Sequence, residues 1–343
     1  MARQRVGTPR FLIDFPTFAR HHGLINIDGE LFKLNPSHSK SIELSYDGYY
    51  RAYYQTTFHE SRWLNCLEYV FVLGSKLYSD ETQISIYTTY SGQHPDYDSS
   101  WSPQGEYIVR NTVNCTAEQA SFRFTLDKDG WAFAEHTKNL HPNMDRMVVR
   151  FESQTSPNTS IGDVSTGWIY EMPHSPDLSL KLGYVNESIK TQTTKGGHTL
   201  TNTGWSEPPY WLDMPQWFTK DDNTPIDSYK GLAPSARRTW DLSFSYLDDT
   251  DMLKRDYPGN TRLEHGVFYG RGITGQDFSV LGVSDTFFSK VVHCTANFKL
   301  PFIFQPNKDV NEFAICRIDG NSFTLNQVAN NVYDVSMKIV ETW

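Results

Sequence analysis

Several short stretches of this chain carry residue types and spacings that can do chemistry. Gly270-Arg271-Gly272-Ile273-Thr274-Gly275 has the GxGxxG spacing. That spacing grips a dinucleotide pyrophosphate only where a strand feeds the N-terminus of a helix. Residues 276 to 283 carry no helical pattern and no βαβ unit surrounds the glycines, so a loop is expected there. Gly162-Asp163-Val164-Ser165-Thr166-Gly167 approaches a nucleophile elbow but has one residue too many before the serine. Asp127 and Asp129 ahead of Gly130 match the opening of a calcium loop. The remaining ligands of such a loop are missing, which leaves a hairpin turn. Asp248, Asp249 and Asp251, with Lys254 and Arg255 beyond, fit either a pair of catalytic carboxylates or a capped, solvated turn, and the turn is the commoner arrangement. The eleven histidines show no HExxH spacing, and His174 and His198 sit among turn-forming residues. No catalytic residue, metal site or cofactor is expected.

The elements available to position these residues are mostly strands. Thr239 to Tyr246 alternates without a break, with Trp240, Leu242, Phe244 and Tyr246 on one face. Phe122, Phe124 and Leu126 alternate in the same way, as do Ile84 and Ile86, and later Tyr333, Val335, Met337 and Ile339. Such alternation marks antiparallel sheets with one buried and one wet face. Turn chemistry separates the runs at Lys195-Gly196-Gly197, Pro258-Gly259-Asn260 and Asp319-Gly320-Asn321. One short helix is expected after a cap at Ser284 or Asp285, with Phe287, Phe288, Val291, Val292 and Thr295 on one face. Another turn or two of helix is expected over Phe15 to His22.

Composition narrows the class. The chain has 343 residues, enough for about two domains, and a formal charge of −9. Aromatic residues make up 14% and charged residues 21%, the reverse of a disordered composition. Basic residues are in deficit on both sides of residue 175, so binding driven by phosphate neutralisation is not expected. The longest apolar stretch, Tyr69 to Gly74, is far shorter than a membrane span. Asp14 and Pro16 interrupt what would be a signal peptide's apolar run. Cys66, Cys115, Cys294 and Cys316 are widely spaced with no CxxC pair, which suggests reduced thiols and a reducing cytoplasm.

What stands out is a capacity for contact. Tyr49, Tyr50, Tyr53, Tyr54, Trp63, Tyr87, Tyr90, Tyr97 and Trp101 crowd the first half. Tyr and Trp are enriched at protein interfaces and also stack on sugar rings, while about half of them would simply fill a core. A boundary is expected at Met172 to Asp177, where Pro173 and Pro176 interrupt any ladder. A Pro-rich stretch at 205–235 carries Trp205, Trp211 and Trp217 and is expected to be a contact arm.

The second half resembles bacteriophage tail and baseplate structural proteins. The matching blocks are Ala236-Arg237-Arg238-Thr239-Trp240-Asp241 running on to Tyr246, Phe287 to Val292, Leu300-Pro301-Phe302-Ile303-Phe304-Gln305-Pro306, Phe313 to Arg317 and Gln327 to Ile339. In the first half, Leu67 to Gly74 followed by Ile84 to Tyr87 is similar to the galactose-binding-like, or discoidin, sandwich of many tail proteins. The resemblance implies a mainly-β chain: an N-terminal arm at 1–30, an antiparallel galactose-binding-like β-sandwich at 31–172, and a tail-tube-like β-sandwich or barrel with one short helix at 173–343. It implies a non-enzymatic, ring-forming adaptor in the virion tail, made in the bacterial host's cytoplasm. Expected partners are other copies in a hexameric or trimeric ring and neighbouring tail, baseplate or fibre proteins, with DNA passing only through a lumen. Interface contacts are expected from Trp205, Trp211, Trp217, Arg237, Arg238 and Phe304. The alternative expectation is a carbohydrate-binding, receptor-recognising tail protein, even a glycan depolymerase, with Tyr97 and Trp101 against the sugar.

Overall fold

The computed structural model describes residues 6–21, 25–27, 34, 40–43, 45–46, 50–58, 68–74, 82–89, 106–110, 122–124, 131–137, 146–153, 158–185, 189–203, 237–253, 286–310 and 312–342. These residues form a mainly-β structure, as the alternation predicts. In chain order the first strands are β1 (Arg10–Asp14), β2 (Ile25–Ile27), β3 (Lys40–Glu43), β4 (Ser45–Tyr46), β5 (Tyr50–Phe58), β6 (Tyr69–Gly74) and β7 (Thr82–Thr89). Then come β8 (Glu106–Arg110), β9 (Phe122–Phe124), β10 (Trp131–Thr137), β11 (Arg146–Ser153), β12 (Asn158–Glu171), β13 (Lys181–Val185), β14 (Ile189–Thr193) and β15 (Thr199–Thr203). The last are β16 (Arg237–Asp248), β17 (Phe302–Gln305), β18 (Ala314–Ile318), β19 (Thr324–Ala329) and β20 (Val332–Glu341). Helical segments are α1 (Phe15–His21), α2 (Asp249–Met252) and a π-helical turn, Phe288–His293.

Every pairing among these strands is antiparallel. The main sheet runs β13-β16-β20-β18-β17-β1-β12-β6-β10-β8, with β19 on β20 and β3 on β12. A second sheet runs β2-β5-β11-β7-β9, with β4 on β5, and β14 and β15 form a hairpin of their own.

Within the stretch expected to be an N-terminal arm, 1–30, Phe11, Leu12, Ile13, Phe15, Phe18 and Ala19 are core. β1 lies between β12 and β17, with Leu12 opposite Ile169 on one side and Ile303 on the other. Phe11 and Ile13 point into one apolar cluster with Trp168, Trp240 and Phe287, and Leu12 points into a second with Tyr69, Phe71, Phe133 and Phe313. A strand covered on both faces has no polar side, so Phe11-Leu12-Ile13 reads as a continuous apolar run and carries no period-two signal. β1 also joins a strand from before residue 172 to one from after it, so the ladder crosses the expected boundary without interruption. Between them, the segment after Met172 is held by Met172 N–H on the Pro9 carbonyl and Asp177 N–H on the Ser243 carbonyl.

Alternation does predict the outer strands. In β20, Val335, Met337 and Ile339 are buried and their neighbours partly exposed. β16 follows its pattern through Trp240, Leu242 and Phe244, but Tyr246 departs from it. The β16–β20 register shifts between Phe244 and Leu247, Tyr246 adopts a φ of 62°, and Leu247 takes the buried place. This β-bulge turns Tyr246 out to solvent. The expected helix over Phe287 to Thr295 is present as the π-helical turn with Phe287, Val291 and Thr295 buried. Among the described residues its N-terminal oxygen is Thr286 Oγ1, which accepts from Ser289 N–H at 3.2 Å; Ser284 and Asp285 lie outside them.

Candidate assembly surface

The near-elbow Gly162 to Gly167 is part of strand β12, not a strand-to-helix turn. Ser165 Oγ nonetheless sits in a chain of polar groups, donating to Asp14 Oδ1 at 2.7 Å and lying 2.8 Å from the Tyr69 hydroxyl. Asp14 Oδ2 accepts from Thr17 N–H at 2.9 Å, which caps α1. Burial pushes the Asp14 carboxyl up from its ordinary value, against the opposing hydrogen bonds from Thr17 and Ser165. It also pushes the Tyr69 phenol well up, with the Asp14 charge adding to the effect. Asp14, Tyr69 and Ser165 are all at most 2% exposed. No substrate reaches such a group, and the chain ties β1, β6 and β12 to α1. Gly167 allows that closeness, because a Cβ there would lie 2.0 Å from the Ile13 carbonyl oxygen.

Ion pairs also tie the elements to one another, from buried to half-exposed positions. Lys290 Nζ donates to both oxygens of Glu68, at 3.0 and 3.2 Å, and to the Ile169 carbonyl at 3.1 Å. Arg10 bridges Glu135 and Glu171, and Lys308 also reaches Glu171. Burial works to raise the Glu171 carboxyl, but Lys308 and Arg10 outweigh it and hold the group below its usual value.

Two residues expected at an interface belong to this interior. Arg238 donates from Nε and Nη2 to Glu341 at 3.1 and 2.9 Å, from Nη1 to Glu312 at 3.0 Å and from Nη2 to the Phe313 carbonyl. Phe304 is fully buried against Phe11 and Trp240. Their donors and apolar surface are taken up within the chain, which corrects the expectation. Arg237 is partly exposed at the start of β16, opposite Val185. Trp205, Trp211, Trp217, Tyr97, Trp101, the stretch 205–235 and the GxGxxG segment lie outside the described residues.

The Asp127-Asp129-Gly130 motif lies outside the described residues, and the motifs within them are structural. Asp248 Oδ1 accepts from Thr250 N–H at 2.8 Å, capping α2, so the Asp248/Asp249/Asp251 group is the capped turn. His198 N–H donates to Thr194 Oγ1 in the tight turn joining β14 to β15, where Gly197 takes a φ of 81°. Cys294 and Cys316 are buried, and Cys294 Sγ donates to the Ser289 carbonyl at 3.2 Å. Among the described residues no cluster of His, Cys, Asp and Glu could hold a metal ion, and no helix is long and apolar enough to cross a membrane.

What the fold presents outward is an edge. β13 ends the main sheet's path and pairs with β16 along one side. Leu182 stands opposite Trp240 and Tyr184 opposite Arg238, so both continue the core-facing side of β16. There the cover runs out: Leu182 is 39% and Tyr184 62% exposed, and neighbouring Leu178 is fully exposed. The chain then enters the β14–β15 hairpin, where residues 192–200 are all exposed, Leu200 among them. A separate two-stranded hairpin is marginal in water, and an open edge with apolar side chains is a template for further pairing. Leu182 and Tyr184 alternate, but the sequence carries little signal of this strand. Five residues interrupted by Gly183 give too short a run to stand out.

Comparison with known proteins finds no matching family model, no matching curated protein and no matching solved structure.

Proposed function

We propose that this chain is a non-enzymatic structural subunit of a bacteriophage tail or baseplate, a ring-forming adaptor that joins neighbouring tail, baseplate or fibre proteins. One observation carries the assembly part of this reading. Among the described residues β13 pairs only with β16, and its core-facing side chains, Leu182 and Tyr184, are exposed beside an exposed hairpin. Head-to-tail use of such an edge closes into a ring when the rotation between copies is right. The tail assignment rests on the sequence blocks from Ala236 to Ile339. The −9 charge suits a lumen that DNA traverses without adhering. On this reading the protein is made in the host cytoplasm and resides in the virion.

The test is localisation within purified phage particles by antibody labelling and particle reconstruction. The chain is expected at the tail or baseplate in several symmetry-related copies. Its absence from particles, or its presence only in the infected-cell lysate, would refute the proposal.

A further inference from the structure

The connector from Met172 to Asp177 leads from β12 into β13, the strand that ends the main sheet's path. Its two ends are pinned by the backbone bonds from Met172 to Pro9 and from Asp177 to Ser243. Pro173 and Pro176 each fix a φ angle, so the residues between them have little freedom. His174 is half-buried there, its ring tilted against Phe244 with centroids 6.0 Å apart. Its Nδ1 lies 2.7 Å from the Ser175 carbonyl oxygen and its Nε2 lies 3.1 Å from the Ser245 carbonyl oxygen. Ser245 belongs to the β16 bulge, which the β16–β20 register skips.

Both partners are carbonyls, and a carbonyl only accepts. A neutral imidazole carries one N–H, so its other nitrogen would aim a lone pair at a carbonyl oxygen. The doubly protonated ring donates to both. Two carboxylates brought here by neighbouring elements favour that charge. Asp177 Oδ2, on the connector, accepts from Ser245 Oγ at 2.8 Å, and Asp334 Oδ1, on β20, accepts from Tyr246 N–H at 3.0 Å. Beyond β16, Asp249 and Asp251 of α2 carry the same sign, and Asp248 caps that helix. Arg10 of β1 and Lys308, after β17, are both paired with Glu171.

We propose that His174 is a proton-operated clasp. With both nitrogens protonated, its ring ties the connector to the β16 bulge and holds the approach to β13. Loss of one proton leaves the shorter, local bond to Ser175 and turns the Nε2 lone pair on the Ser245 carbonyl, so the clasp opens. The folded chain thus binds this proton more tightly than the unfolded chain does. The clasp's contribution to stability is full in acid and is lost as pH rises through the histidine range. Control of assembly by the clasp rests on the β13-edge reading, whereas the clasp itself does not.

The experiment is NMR and urea unfolding of the full chain with isotope-labelled histidine, His174→Gln and His174→Asn serving for assignment and as controls. At about pH 7 an ordinary histidine, titrating near about 6.5, has mostly lost one proton. The His174 ring is expected to show both N–H signals there. Acidification from about pH 8 to about pH 5.5 should raise the parent's folded-to-unfolded ratio about tenfold relative to either variant, the size of one charge-assisted hydrogen bond. Amide exchange along β13, corrected for its intrinsic rate, should be slower in acid in the parent and indifferent to pH in the variants. A singly protonated ring at about pH 7, or a stability difference that stays flat with pH, would overturn the clasp. Light scattering over the same pH range separates the two readings. Rings that dissociate as the clasp opens support its control of assembly, and rings indifferent to pH overturn that control. A monomer at every pH, with a clasp that still titrates, overturns the assembly reading alone.

Discussion

Replacing Arg238 by methionine distinguishes a residue built into the fold from one kept for a partner. In the folded chain the guanidinium engages both oxygens of Glu341, one of Glu312 and the Phe313 carbonyl, and lies 5.4 Å from the centre of the Trp240 ring. Burial alone would lower its affinity for the proton, but the bond and charge of Glu341 reverse this and hold Arg238 above its usual value. Glu341 is only 1% exposed. Methionine fills similar space but strands that carboxylate, whose one remaining bond among those described is from the Arg238 backbone N–H at 3.0 Å. Breaking a buried pair from one side costs about 3–5 kcal/mol. Removing both charges, in Arg238→Met/Glu341→Leu, should cost about 2 kcal/mol less than the sum of the single changes, because no orphan charge is left. The assay is urea unfolding of all four proteins followed by tryptophan fluorescence. An Arg238→Met stability within about 0.5 kcal/mol of the parent, with altered assembly, would refute the internal assignment and return Arg238 to an interface.

Further outcomes follow from the strained and buried positions. Tyr246 holds a φ of 62° while 81% exposed, so Tyr246→Gly should be about 1 kcal/mol more stable than Tyr246→Ala in chemical unfolding. At Ser243, in regular strand, the order should invert. Gly167→Ala places a methyl group 2.0 Å from the Ile13 carbonyl oxygen and should cost more than about 3 kcal/mol, visible as a large fall in the urea midpoint. Asp14 is raised above 3.8 by burial, so the folded state holds its proton more tightly than the unfolded chain does. Its stabilising contribution is full below pH 3.8 and is lost as pH rises through the elevated folded value. Asp14→Asn should therefore gain stability relative to the parent as pH rises from acid toward neutral. A flat or falling difference would contradict the buried Asp14–Ser165–Tyr69 chain.

The sequence made the outer strands legible because each has one wet face. Val335, Met337 and Ile339 alternate with polar residues, and the structure buries them as that pattern requires. It hid β1, because Phe11, Leu12 and Ile13 are buried on both faces and leave no period to read. Its pairing with β17, almost three hundred residues away, has no local signature. Tyr246 misled for the opposite reason: the alternation is unbroken in the sequence, while the bulge that reverses it depends on the facing strand. Arg238 and Phe304 suggested contact surface because arginine and aromatic side chains are common at interfaces. Their partners, Glu341, Glu312, Phe11 and Trp240, become neighbours only through the sheet. The β13 edge was illegible because exposure of Leu182 and Tyr184 reflects what fails to cover them, a property of sheet order.

Assembly through the β13 edge of the main sheet has a direct physical readout. Its most direct measurement is the mass and symmetry of the purified full-length protein, by light scattering and particle averaging, before and after Leu182→Lys/Tyr184→Lys. Both side chains are exposed, so the doubly substituted chain should keep its unfolding midpoint. A closed cyclic ring is expected for the parent and a monomer for the variant. A monomeric parent, or a ring that survives both lysines unchanged, would contradict it.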